Sequence, residues 1–302
     1  MPRLLITGAS GFVGGNLAVI ASRTWEVTGS YNSHRPELGG VRTKQLDIAS
    51  ETAVAEAIEC VKPDAAIHLA AMSNIDECQK EQDAAYRVNV IGTANLADAC
   101  RASGARLVSI STDNVFDGKR GCYSEDDAPN PINFYGRSKV LAETEVLKRA
   151  PGALVVRIPL MLGFPLTEAG SFLGGIVRAL RARQPVMFFT DEWRTPCDVF
   201  TLCDALVELA ANEMSGILHL GGTERVSRAE IGRSLLRRLR LDEEMATYTT
   251  AAEAMKGRAP RPPDVSFDVT RARQVLATAL LDLERSMDRI WEATAPDALR
   301  LS

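Results

Sequence analysis

The stretch that most limits what this chain can become lies at its start, where Arg3-Leu-Leu-Ile-Thr7 runs apolar into Gly8-Ala-Ser-Gly11-Phe-Val-Gly14. Beyond it Leu17, Ala18 and Ile20 recur at helical spacing, so the reading is strand, glycine turn, helix. The spacing G-x-x-G-x-x-G differs by one residue from the common dinucleotide fingerprint, but the physics is the same. Glycines permit a tight turn and let a pyrophosphate approach the helix N-terminus. Gly8, Ser10, Gly11, Phe12, Val13 and Gly14 are therefore candidate cofactor contacts.

Strand and helix patterns then alternate. A strand at Glu26 to Tyr31 ends without the carboxylate that an NAD site usually places against the ribose 2′-hydroxyl. From Val27 to Pro36 there is no Asp or Glu, and Ser33, His34 and Arg35 offer donors and a cation suited to a 2′-phosphate. NADP is expected, with NAD as the alternative; Glu37 nearby leaves a solvated-loop reading of Arg35 open. Lys44 to Ile48 follows, with Asp47 and Ile48 placed to meet the adenine. A helix from about Ser50 to Cys60 leads to Asp64 to Ala70, an apolar strand of the kind that a parallel sheet buries on both faces. His68 within it reads as a core residue. The strand's end, Ala70, Ala71 and Met72, joins the candidate cofactor site. A helical stretch from Asp83 to Ser103 carries Asn89, which is either satisfied locally or reaches the sheet's active edge; it is counted with the cofactor residues. Ala105 to Ser111 is the next strand. Five such alternations specify an α/β fold with a doubly wound, parallel, Rossmann-type sheet, whose ligands sit beyond the carboxyl ends of the strands.

Ser111-Thr112-Asp113 lies at such an end, and Tyr135-Gly-Arg-Ser-Lys139 opens a helix after a polar, turn-rich segment, 117–131, expected to be a loop over the site. Tyr135 and Lys139 are four apart, on one helix face. A nearby ammonium favours the phenolate, so Tyr135 could exchange a proton with a carbonyl or alcohol oxygen, with Thr112 as second hydrogen-bond partner. Tyr135, Lys139 and Thr112 are the candidate catalytic residues, the first two also touching cofactor.

After Ile158 the alternation breaks at Pro159, Gly163, Pro165 and Gly170. Residues 1–158 read as the NAD(P)-binding domain, with a return of the chain around 185–220, and 159–302 as a smaller, mainly substrate-binding α/β segment. Helical patterns fall at about 171–183, 198–211 and 228–239, with a strand at Ile217 to Leu220. Arg157, Arg194 and Arg261 could hold phosphates or a carboxylate, or be structural ion pairs. Thr112, Asp113, Arg194 and Arg261 are the candidate substrate residues.

Composition narrows the function classes. A net charge of −4 gives no basic field for nucleic acid, and no apolar run approaches the ~20 residues of a membrane span. Six scattered cysteines and three histidines, with no C-x-x-C pair, disfavour zinc and a disulfide framework, so no metal is expected. The N-terminus leaves no room for a signal peptide, which points to the cytoplasm. A homodimer is compatible with all of this.

With these residues in hand, the chain resembles the extended short-chain dehydrogenase/reductase family and, within it, the dTDP-4-dehydrorhamnose reductase branch. The resemblance is carried by residues 7–14, His68-Leu-Ala-Ala71, Ala85 to Gly92, Ser111-Thr-Asp-Asn-Val-Phe-Asp-Gly118, Pro131 to Lys139 and Arg261-Pro262. It implies that Tyr135 donates the proton, that Lys139 binds the nicotinamide ribose and lowers the Tyr pKa, and that Thr112 hydrogen-bonds the substrate oxygen. The implied activity is NADPH-dependent reduction of a 4-keto group on a nucleotide-diphosphate sugar. Asn114 stands where the branch usually has Tyr, and Leu160 falls in a stretch where it has an aromatic, so the sugar is left open. Related 4,6-dehydratases use Thr-Asp-Glu, and Asn114 cannot act as such a base. A nucleotide-sugar 4-epimerase shares the Tyr and Lys. The regulatory β subunit of methionine adenosyltransferase is similar to this same branch and acts by binding its partner enzyme, which gives a non-catalytic alternative.

Overall fold

Apolar residues at every position of a strand can be buried only by helices on both faces, and the computed structural model, which describes residues 1–254 and 256–294, has that arrangement. Its N-terminal portion runs β1 (Arg3–Thr7), α1 (Phe12–Ala21), β2 (Glu26–Tyr31), β3 (Arg42–Gln45), α2 (Glu51–Val61), β4 (Ala65–His68), α3 (Ile75–Lys80) and α4 (Gln82–Tyr86). A π-helical turn, Arg87–Ile91, then leads into α5 (Gly92–Ser103), β5 (Arg106–Thr112), α6 (Phe134–Arg149) and β6 (Leu154–Ile158). The chain continues through β7 (Met161–Leu162), α7 (Phe172–Arg181), β8 (Val186–Phe189), β9 (Trp193–Arg194), β10 (Cys197–Asp198), α8 (Val199–Ala210) and β11 (Gly216–His219). After β12 (Val226–Ser227), α9 (Arg228–Leu239) and β13 (Ala246–Thr249), short helices and a last one at Leu283–Ala293 complete the described chain.

The central sheet has the order β11-β6-β5-β4-β1-β2-β3 and every pairing in it is parallel. Alternate residues of β1 divide between two cores. Leu4 and Ile6 pack with Leu17, Val108, Val156, Leu202 and Leu206 on one face, and Leu5 packs with Val54, Ala66, Leu96, Leu107 and Val146 on the other. The sheet takes its seventh strand, β11, from well beyond residue 158, and α8 lies against α1. The remaining strands make two-stranded pairs: β7 with β10, β8 with β13 and β9 with β12. Beside them a smaller core gathers Leu162, Leu173, Val226, Ile231, Leu235, Met287 and Ile290.

Local chemistry sets the helix starts. Ser50 caps α2 through the Ala53 N–H, and Asn133 caps α6 through the Gly136 N–H at 2.8 Å, which fixes where Tyr135 enters the helix. Ser227 and Glu230 form a reciprocal capping box on α9.

Candidate active site

The chain leaves β1 for β2 on one side and returns to β4 on the other, so the carboxyl end of β1 is a topological switch point. The glycine turn sits there. Gly8 has φ +77°, and a Cβ on Gly14 would lie 2.2 Å from the Gly8 carbonyl oxygen, so only glycine allows this closeness. α1 begins at the turn with no side-chain cap on its first N–H groups and no acidic residue in its first turn, an open N-terminus of the kind that accepts a phosphate.

A cavity of about 730 Å³ runs from this turn along the strand ends. Its walls bring together Gly8, Ser10, Gly11, Phe12, Val13, Gly14, Asp47, Ile48, Ala70, Ala71, Met72, Thr112, Tyr135 and Lys139 from the residues singled out in the sequence. Ser33, His34 and Arg35 lie instead on a neighbouring cavity of about 700 Å³, which shares Ser10 and Ala169 with the first and is bordered also by Glu37, Thr167 and Glu168. There the Arg35 Nε donates to Thr43 Oγ1 at 3.2 Å, and Asp47 in the main cavity pairs with Arg87 at 3.1 Å.

Thr112 ends β5 and is buried, its Oγ1 accepting from the Asn114 N–H at 3.2 Å. Tyr135 and Lys139 face it from α6, with Lys139 buried at the cleft's floor. Burial pushes the Lys139 ammonium down to about 8, while Glu143 acts in the opposite direction. The expectation of a lowered Tyr135 pKa does not hold for the free protein. Burial raises this phenol above its ordinary value, and the Thr112 hydroxyl offsets only part of that. A phenol that keeps its proton at neutral pH is nonetheless what a general acid requires.

Other expectations are corrected by the tertiary contacts. Asn89 does not line the cavity. It is buried in the π-helical turn, accepts from the Met72 N–H at 2.8 Å, and donates to the Met72 carbonyl and to Ser138 at 2.9 Å each, so it holds the cavity's Met72 wall in place. Arg194 is 3% exposed and its donors are taken by the carbonyls of Trp193, Pro262 and Pro263, with Asp113 Oδ2 3.6 Å from its Nε. Asp113 itself is buried off the cavity wall, and burial raises its pKa. Arg261 grips Asp76 in a two-pronged pair at 2.8 and 3.0 Å and lines neither cavity. Arg157 is sealed in a pair with Glu143. The 117–131 segment does not cover the cleft: Tyr123 stacks on Phe116 and bridges to Phe267. His68 is a core residue, bridging Thr7 at 2.7 Å and Thr93 at 2.9 Å. Among the described residues no cluster of three His, Cys, Asp or Glu side chains could hold a metal.

Sequence reading missed the strap that borders both cavities. Thr167 donates its hydroxyl to the Ser10 carbonyl at 2.9 Å, Asn16 donates to the Phe164 carbonyl at 3.2 Å, and Ala169 and Gly170 face the main cavity. Its Pro and Gly residues announced a loop but not its destination.

This fold and cleft can be set beside known proteins. The profile of the RmlD substrate binding domain matches residues 2–295. The chain belongs to that family. It is 31% identical over 277 residues to methionine adenosyltransferase 2 subunit beta of Danio rerio, covering 89% of this chain and 83% of that one. The dTDP-4-dehydrorhamnose reductase of Bacillus anthracis, solved in complex with NADP, superposes with a TM-score of 0.83 at 27% identity, covering 97% of this chain and 99% of the other. A hypothetical dTDP-4-dehydrorhamnose reductase from Sulfolobus tokodaii is 34% identical, with a TM-score of 0.82 over 93% of this chain and 98% of its own. A seven-stranded parallel Rossmann-type sheet carries this RmlD-family chain's cleft, and the fold superposes on that of the Bacillus anthracis reductase.

Proposed function

We propose that this RmlD-family chain is an NADPH-dependent reductase acting on the 4-keto group of a nucleotide-diphosphate sugar. The observation that carries the reading is that Thr112, Tyr135 and Lys139 line the same cavity as the glycine turn. Residues 1–158, together with the returning strand β11, would hold the dinucleotide and residues 159–302 the sugar side. NADPH, when bound, supplies the hydride. The open N-terminus of α1 and the close-packed glycines receive the pyrophosphate, Asp47 and Ile48 border the adenine end, and Ser33, His34 and Arg35 take the 2′-phosphate. Lys139 offers its ammonium to the nicotinamide ribose. Thr112 and Tyr135 both hydrogen-bond the substrate oxygen, and Tyr135 gives it the proton as charge develops there. The reductase named in the Bacillus anthracis complex with NADP supports both cofactor and activity.

A second reading has its own observation. The identity to methionine adenosyltransferase 2 subunit beta extends over most of both chains, which favours a cofactor-binding subunit of another enzyme. A 4-epimerase would use the same Tyr135 and Lys139. The deciding experiment follows the absorbance of reduced nicotinamide with a panel of dTDP-, UDP- and GDP-linked 4-keto sugars. Steady oxidation of NADPH with at least one of them is expected. NADPH binding without oxidation across the panel would overturn the reductase reading and leave the subunit and the epimerase.

A further inference from the structure

Beside Thr112 runs a row of hydrogen bonds whose direction is fixed from one end and which the reaction proposed above does not use. It starts at the N-terminus of α6. There Asn133, 1% exposed, turns its Oδ1 to the Gly136 N–H at 2.8 Å, so its Nδ2 faces the other way and donates to the Pro260 carbonyl at 3.1 Å and to Asn114 Oδ1 at 3.4 Å. That sets the second amide in turn. With its oxygen on Asn133, Asn114 presents both N–H groups of Nδ2 to the end of β5, one to Asp113 Oδ1 at 2.8 Å and one to Thr112 Oγ1 at 3.4 Å. The Asn114 backbone N–H donates to the same Thr112 oxygen at 3.2 Å. α6 lies directly on this turn, since a Cβ on Gly136 would fall 2.1 Å from the Asn114 carbonyl oxygen.

A hydroxyl has one proton and two lone pairs. Asn114 fills both lone pairs of Thr112, so this hydroxyl is left with its proton to offer, and in the free protein it donates to Asp113 Oδ1 at 3.1 Å. We propose that Asn114 is a positioning residue for the reduction: it occupies the lone pairs of Thr112 and so leaves that hydroxyl a pure donor for the carbonyl oxygen of the substrate. This rests on the role given to Thr112 above. A carbonyl oxygen accepts and cannot donate, so it suits a hydroxyl whose lone pairs are already taken. When it arrives it competes with Asp113 Oδ1 for the Thr112 proton. Losing that proton does not leave Oδ1 bare, because the 2.8 Å bond from Asn114 remains. Asn114 itself lines neither cavity, so its effect on a ligand there runs through Thr112.

The test is a pair of double-mutant cycles on the full chain, combining Asn114→Ala with Thr112→Val. The first cycle reads turnover with a 4-keto sugar that the protein reduces. Asn114→Ala should lower kcat about tenfold at unchanged NADPH affinity, and by less than about twofold once Thr112 is Val. A general loosening of the fold would instead lower kcat alike in both backgrounds. A loss that persists in Thr112→Val, or an unchanged kcat in Asn114→Ala alone, overturns the proposal. The second cycle needs no sugar and follows denaturant unfolding of the four unliganded proteins. The double variant should be more stable than the two single losses predict, by a factor of about three or more in the unfolding constant, and a smaller factor overturns the proposal. The two readings therefore fail separately. If no sugar of the panel is reduced, the reductase reading falls while the unfolding cycle still decides whether Asn114 holds Thr112. If a sugar is reduced and either cycle is additive, the reductase reading survives without Asn114.

Discussion

The cleft along the strand ends and the arginine-bearing segment after Pro159 handle their polar groups in opposite ways. In the cleft, α1 begins with uncapped N–H groups, and Thr112, Tyr135 and Lys139 line the cavity wall. In the later segment every arginine singled out for phosphate binding is occupied: Arg194 by backbone carbonyls and Asp113, Arg261 by Asp76. Uncapped N–H groups on an open cavity mark where a ligand goes, and cations already taken by carbonyls and carboxylates mark where the protein holds itself together.

Four experiments would break or sharpen this contrast. The largest effect is expected at Arg194. Replacing it with Met leaves the buried Asp113 without the cation paired to it and Glu192 with Arg228 alone, which should cost ~3–5 kcal/mol of folding stability in a denaturant titration. A variant of unchanged stability but weakened sugar binding would restore Arg194 to the substrate site. Tyr135→Phe should do the reverse, leaving stability and NADPH affinity in place while turnover falls by ~10² or more. Near-normal turnover would remove Tyr135 from the chemistry. Arg35→Ala should weaken NADPH by ~1.5–3 kcal/mol and leave NADH almost unaffected, as read by competitive binding. Equal losses for both cofactors would take the 2′-phosphate away from that cavity.

The most gradual effect is one of pH. His68 and His219 are buried and neutral, each with its pKa pushed down to about 3, so the unfolded chain binds protons that the native one does not once pH falls below about 6.5. Their contribution is fully present above that value and is lost on acidification, at up to ~1.4 kcal/mol per pH unit for each. Denaturant titrations between pH 7 and 5 should show stability falling, with a shallower slope in His219→Gln. A flat profile would mean that these imidazoles are not held neutral.

The strand order's alternating character, the glycine turn and the Tyr135–Lys139 spacing were legible because each depends on neighbours within a few residues. Helical period places positions 135 and 139 on one face whatever surrounds them. The fate of Arg194 and Arg261 was not legible, since their partners Pro262, Pro263, Asp113 and Asp76 lie 68 to 185 residues away along the chain. Nor was the rise in the Tyr135 pKa, because desolvation depends on what is packed around a group rather than on its spacing from a lysine.

What the sequence by itself determined is the periodic part: a parallel sheet wound with helices, an uncapped glycine turn at its first crossover, and a phenol one turn from an ammonium. Tertiary structure alone decided which charges remain for a ligand. It sealed Arg157 against Glu143, folded Pro262 and Pro263 over Arg194, and brought Thr167 across to the Ser10 carbonyl. The physical reason is that periodicity is set by local backbone geometry. The state of a polar side chain is set by long-range contacts, which decide whether water, another residue or a ligand satisfies it.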